Sequence, residues 1–159
     1  MAKILVVEDN ALNIKLFCDL LSAHGHDTQG VTDSRFALDA ARAFMPDLVI
    51  TDIQLPYVSG LELMQMIRAD DNLRSVPIMA VTAYSGVGDD ERIRAAGAQA
   101  YVSKPISVMR FAETVEELLE AGPIHELEAL VAGAVSTNEA GGPDTGTAPL
   151  DPGSEPGVK

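Results

Sequence analysis

Lys3-Ile4-Leu5-Val6-Val7-Glu8-Asp9-Asn10 is an apolar, partly β-branched run that stops abruptly at two acids and an asparagine. A run of that length and composition predicts a strand buried on both faces. The following stretch, about residues 11–24, carries Leu16, Phe17, Leu20 and Leu21 on one helical stripe. Asn10 is placed to cap its start and Gly25 to stop it. The opening unit therefore reads as strand, acidic turn, helix.

The same alternation continues along the chain. Residues 27–31, 48–52, 76–82 and 100–103 read as further strands, and of the five those at 3–7, 48–52 and 76–82 are apolar enough to be central. The final helix is expected to start at Ser107 as N-cap and to bury Val108, Phe111, Ala112, Val115, Leu118 and Leu119. Five such units predict an α/β fold built on a five-stranded, doubly wound parallel sheet. Sheets of this kind bind ligands at the carboxyl ends of their strands.

Composition sets the outer bounds. A chain of 159 residues with 47% apolar content is expected to build one core. The formal net charge of −13 argues against nucleic acid and against an anionic membrane surface as partners. Cys18 is the single cysteine, so an internal disulfide is excluded and a reducing, cytoplasmic setting is expected. The first ten residues lack the length and flanks of a signal peptide, and no apolar run predicts membrane insertion.

Over half of the Gly and Pro lie in the last 39 of the 159 residues, after the final aromatic, Phe111. Residues 1–122 are therefore expected to form the domain. Residues 123–135, with Ile124, Leu127, Leu130 and Val131, suggest a short amphipathic helix, and residues 136–159 read as a disordered acidic tail.

Taking only strand ends gives a short list: Glu8 and Asp9, Asp52, Thr82, and Lys104. Three carboxylates brought together repel by roughly 4 kcal/mol per pair at 4 Å, even at an effective dielectric of about 20. A cation must sit among them. Mg²⁺ suits an oxygen-only donor set, taken directly by Asp9 and Asp52 and by Glu8 through water. Lys104 supplies a second positive charge and Thr82 a hydroxyl donor, which is what phosphoryl transfer to the Asp52 carboxylate requires.

These residues, Val7-Glu8-Asp9-Asn10, Asp52 before Leu55-Pro56 and Ser59-Gly60, Thr82-Ala83 and Lys104-Pro105, resemble the motif set of two-component response-regulator receiver domains over residues 3 to about 120. The wording of residues 10–17, 52–56 and 103–108 is most similar to single-domain regulators of cell division. The resemblance implies a flavodoxin-like strand order 2-1-3-4-5 and Asp52 as phosphoacceptor. It also implies that Glu8, Asp9, Asp52 and the Gln54 backbone carbonyl serve the metal, and that Thr82 and Tyr101 act as a switch pair. A Lys104–Pro105 bond that is cis would match the family. Expected partners are a histidine kinase or phosphatase, or a histidine phosphotransfer protein, together with downstream protein targets; recruitment to a cell pole is a further expectation. Slow self-dephosphorylation is implied too, with Gln54 and Tyr84 flanking the path of water.

Each residue also has a plainer reading. Glu8 and Asp9 favour a helix N-terminus in any protein, Thr82 suits a strand, Lys104 suits solvent, and Tyr101 is a half-buried aromatic by default. Their order at the ends of four strands is what turns the balance. Ile14, off the predicted stripe, with Pro105 and Ile106 beside it, is a candidate for docking a partner helix. Gly86 and Gly88 would let the loop after Thr82 move, and the three histidines read as surface residues. Two other functions compete: a binding module indifferent to phosphate, and an enzyme on the same architecture. The second lacks a Gly-rich phosphate turn, and Gln54 stands where a dehalogenase-type phosphatase would place a second Asp.

Overall fold

In the computed structural model, which describes residues 2–83 and 88–124, the apolar runs become β1 (Lys3–Val7), β2 (Asp27–Val31), β3 (Leu48–Asp52), β4 (Ile78–Thr82) and β5 (Ala100–Ser103). All neighbours are parallel and the order is β2-β1-β3-β4-β5. Every residue of β3 and β4 is buried, whereas edge strand β2 exposes Asp27, Gln29 and Gly30. The expected fourth strand began two residues too early. Pro77 lacks an N–H for the ladder, and its carbonyl accepts from Val49 N (3.0 Å) just before pairing begins.

Helices α1 (Ala11–Ala23), α2 (Ala37–Phe44), α3 (Gly60–Ala69), α4 (Asp89–Ala96) and α5 (Val108–Ala121) cover the two faces. Strand alternation sorts the core into two layers. Leu5, Val7, Val49, Ile78 and Ala80 pack with Ala41, Leu63, Met64, Ile67 and Ile93 of α2, α3 and α4. Ile4, Val6, Ile50, Met79 and Val81 pack with Phe17, Leu21, Phe111 and Val115 of α1 and α5. Phe17 and Phe111 stack at 5.1 Å between centroids, tying α1 to α5. Each of the larger side chains among these, Val, Leu, Ile, Met or Phe, contributes about 1.5–3 kcal/mol on burial.

Local chemistry fixes where the helices begin. Asn10 Oδ1 accepts from Leu12 N (2.9 Å) and Asn13 N (3.2 Å). Ser59 and Glu62 close a capping box on α3, and Ser107 caps α5. Gly25, at φ +86°, ends α1 as expected.

Three expectations need correction. The residues of α1 that are buried are Phe17 and Leu21, with Ile14, Cys18 and Leu20 partly covered, while Leu16 is 46% exposed and Leu12 77%. On α5, Val108 faces outward. His26 is not a surface residue: its ring is nearly covered, with Nε2 bonded to Glu116 Oε2 (2.8 Å) and Nδ1 accepting from Ala2 N (3.3 Å). His125, Gly86, Tyr84, all but the first two residues of the expected helix at 123–135 and the whole of the expected tail at 136–159 lie outside the described residues.

At the amino ends of β4 and β5, Arg68 donates to the carbonyls of Arg74 (3.0 Å), Val76 (2.6 Å) and Gly97 (2.7 Å) and to Gln99 Oε1 (2.7 Å). All four acceptors are neutral, and burial pulls its pKa down to about 10. This guanidinium gathers the α3–β4 and α4–β5 loops, which sets β4 and β5 in register from the end opposite the acidic residues.

Candidate functional site

Parallel strands deliver their last residues to one edge of the sheet, so the acidic turn after β1, Asp52 at the end of β3 and Lys104 after β5 must meet there. They do. Carboxylate oxygens of Glu8, Asp9 and Asp52 all lie within 4.8 Å of one another. Glu8 and Asp52 are buried and Asp9 is exposed. Lys104 Nζ donates to Asp52 Oδ2 (2.7 Å) and to Glu8 Oε2 (3.3 Å).

The backbone holds these groups from both sides. Glu8 N donates to Val31 O (3.1 Å), and Asn10 N donates to Glu8 Oε1 (3.3 Å). Gln54 N donates to Asp52 Oδ1 (3.0 Å), so both Asp52 oxygens are engaged. The Lys104–Pro105 peptide bond is cis.

One ammonium among three carboxylates leaves an excess of negative charge. Burial first, then the charge of Asp52 and a hydrogen bond with it, push Glu8 up to about 7 against the opposing pull of Lys104. Burial works against the Lys104 charge, yet the Asp52 hydrogen bond and the charges of Asp52 and Glu8 outweigh it and lift the ammonium above the ordinary lysine value. A second cation with a preference for hard oxygen ligands would relieve the crowding. The donor set fits Mg²⁺ by its chemistry: three carboxylates that can offer oxygen ligands to one point, with Asp9 exposed at the edge.

Thr82 ends β4 and is buried, and Tyr101 is half-buried on β5. Register pairs Ala80 with Tyr101, so Thr82 and Tyr101 project from the same face of the sheet, Thr82 one step nearer the acidic edge. Arg94 of α4 sits 6.0 Å from the Tyr101 ring.

Ile14, expected to dock a partner helix, is only partly exposed. It packs over Gly30 of β2, where an added Cβ would stand 2.6 Å from its Cγ2. Ile106 is likewise partly buried against the α1/α5 layer, and only Pro105 of the three is exposed. The exposed apolar side chains nearby are Leu12 and Leu16 of α1 and Val108 and Met109 of α5.

Gly60 was quoted in the sequence only as part of a motif, yet it is essential to the geometry. A Cβ there would overlap the Asp52 carbonyl oxygen and lie 2.7 Å from Ile53 Cα. Its N–H donates to Ile53 O (2.9 Å), closing the β3–α3 loop at its neck. Gly60→Ala is expected to cost about 2 kcal/mol by overpacking and to slow phosphoryl acceptance by displacing Asp52. Urea denaturation and a phosphorylation time course would check the two effects; an unchanged time course in a destabilised variant would show that Asp52 tolerates the shift.

A receiver is what this fold and this edge define, and comparison with known proteins agrees. The model of the response regulator receiver domain matches residues 4–116, and the chain belongs to that family. Over 116 residues it is 53% identical to the polar-differentiation response regulator DivK of Brucella anthropi and 52% identical to that of Brucella ovis, covering 73% of this chain and 94% of each relative. Among solved structures it is similar to the receiver domain of a Pseudomonas aeruginosa sensor histidine kinase, at 31% identity and a TM-score of 0.69, covering 75% of this chain and 98% of that one. That structure carries a magnesium ion coordinated in its active-site cleft. The chemotaxis protein CheY4 of Vibrio cholerae, at 24% identity and a TM-score of 0.71 over 74% of this chain and 98% of that one, shares the fold. The five-stranded receiver fold expected from the sequence is therefore the one observed. Among the described residues, no helix is long and apolar enough to cross a membrane.

Proposed function

We propose that this response regulator accepts a phosphoryl group on Asp52 from the phosphohistidine of a histidine kinase or histidine phosphotransfer protein. The observation that carries the reading is the cluster itself: three carboxylates within 4.8 Å, with Lys104 2.7 Å from the Asp52 oxygen. A carboxylate oxygen of Asp52 forms the new bond to phosphorus as the bond from phosphorus to the donor imidazole nitrogen breaks, and that nitrogen keeps the electron pair. Lys104 leaves its pairing with Asp52 for a phosphate oxygen, and the Thr82 hydroxyl donates to another. Glu8, Asp9, Asp52 and the Gln54 carbonyl would hold Mg²⁺, which supplies charge neutralisation for the equatorial oxygens.

Movement of Thr82 toward the phosphoryl group frees space on the Tyr101 side of the sheet, and Tyr101 follows. A groove of about 670 Å³ along edge strand β5 between α4 and α5, lined by Arg94, Tyr101, Ser103, Arg110 and Glu117, is the surface this change would remodel for downstream protein targets. The phosphodonor docks instead on Leu12, Leu16, Pro105, Val108 and Met109. The amino ends of α1 and α5 both lie at the acidic edge, and the Phe17–Phe111 stack holds the two helices side by side. Likeness to DivK supports a role in cell polarity or division, in the cytoplasm, with recruitment to a pole by partners. It also supports residues 1–122 as the working receiver. The aspartyl phosphate is expected to hydrolyse slowly in water.

Intact-mass analysis after incubation with acetyl phosphate tests the reading. One addition of about 80 Da, the mass of a phosphoryl group, that needs Mg²⁺ and is lost in EDTA is expected. No addition under either condition would leave the chain a phosphate-independent binding module.

A further inference from the structure

Ser34 lies in a short 3-10 turn, Ser34–Phe36, between β2 and α2, and its side chain is almost wholly buried. Its hydroxyl donates to Pro56 O (2.6 Å) and accepts from Val58 N (3.1 Å). One hydroxyl thus brackets Tyr57 from another loop, replacing hydrogen bonds that a turn would normally make within itself.

Tyr57 needs the bracket. It sits at φ +71°, a left-handed conformation that costs a non-glycine residue roughly 1–2 kcal/mol, and the residue is 71% exposed, so burial does not hold it there. Arg35 adds a second fixing point: its guanidinium lies 3.9 Å from the Tyr57 ring centroid and is itself forked by Asp33 at 2.7 and 3.1 Å. The loop from Ile53 to Gly60 is therefore closed at its neck by Gly60 N to Ile53 O and clamped at its tip by Ser34. Gln54 is caught between these two fixed ends, two residues before Pro56.

The geometry points to Ser34 as a positioning residue for the metal site, acting through the loop that carries the Gln54 carbonyl. The inference rests on the proposed reading that this carbonyl serves Mg²⁺. Without the hydroxyl, Pro56 and Val58 are released, Tyr57 relaxes out of its left-handed conformation, and Gln54 loses its fixed orientation.

Direct Mg²⁺ titration by calorimetry, at a temperature where thermal denaturation in EDTA shows each variant folded, tests it without a turnover assay. Ser34→Ala is expected to weaken Mg²⁺ binding about tenfold, the usual size of an outer-shell loss. Ser34→Thr, which keeps the hydroxyl, is expected to stay within about twofold of the wild type on the same scale. If Ser34→Ala fails to fold, Ser34→Cys keeps the shape with a weaker donor and should show an intermediate loss. A Ser34→Ala protein that binds Mg²⁺ as the wild type does, whatever its melting temperature, would overturn the inference. Wild-type protein that fails to bind Mg²⁺ would overturn the metal reading and this inference with it.

Discussion

Asp52→Asn should abolish phosphoryl acceptance entirely and, in EDTA near pH 8, should make the protein more stable rather than less. Loss of acceptance follows from the nucleophile: an amide oxygen is neutral and cannot carry the phosphoryl group as an acyl phosphate. The gain in stability follows from the charges. At an effective dielectric of about 20, Asp52 is repelled by Glu8 and by Asp9 by about 3 kcal/mol each and attracted by Lys104 by about 6. These nearly cancel. What remains is the cost of keeping an ionised carboxylate out of water, which asparagine avoids while retaining an oxygen for Gln54 N. A rise of roughly 1–2 kcal/mol is expected once relaxation is allowed for. Paired intact-mass and urea measurements read both effects; an inert but destabilised variant would mean that the Lys104 pairing outweighs the crowding.

The same residues show how far the sequence could be read. The strands were legible because the central ones are continuous apolar runs, and the acidic edge because parallel strands deliver their last residues to one place. Lys104, 52 residues beyond Asp52, meets it at 2.7 Å for that reason alone. The α1 stripe was misread because Leu12, Ile14, Leu16, Phe17, Leu20 and Leu21 make the helix apolar almost all round, leaving its period ambiguous. What settles it is the seat for Ile14 that Gly30 provides on β2, a contact between segments that periodicity cannot show. His26 was misjudged for the same reason, since Glu116 lies 90 residues away. Ser34 gave no distinguishing signal. A serine after Asp33 reads as helix-cap chemistry, and only the fold brings Pro56 and Val58 to its hydroxyl.

Metal-free protein should lose stability as pH rises from about 4.5 to about 7, opposite to the trend that ion-paired carboxylates normally give. Glu8 carries its proton up to about 7 in the folded chain, against 4.5 for the ordinary carboxyl, because burial and Asp52 disfavour its charge. Within that window the folded state binds more protons than the unfolded one, so stability falls with rising pH. The contribution is fully present below about 4.5 and is lost as pH passes through about 7, and it amounts to on the order of 3 kcal/mol. Asp33 and Asp70, held below the usual carboxylate range by Arg35 and Arg42, act with the opposite sign. Their contribution is lost only as pH falls below the ordinary carboxylate value of 3.8, outside this window. Two changes should flatten the slope. Asp52→Asn removes both the charge and the hydrogen bond through which Asp52 raises Glu8, leaving burial opposed by Lys104 and the Asn10 N–H. Saturating Mg²⁺ favours the ionised form of Glu8, so binding below pH 7 should release a proton, measurable as a dependence of the calorimetric heat on buffer ionisation. Stability that instead climbs between pH 5 and 7 in EDTA would mean that Glu8 is ionised throughout, and that Lys104 alone neutralises the edge.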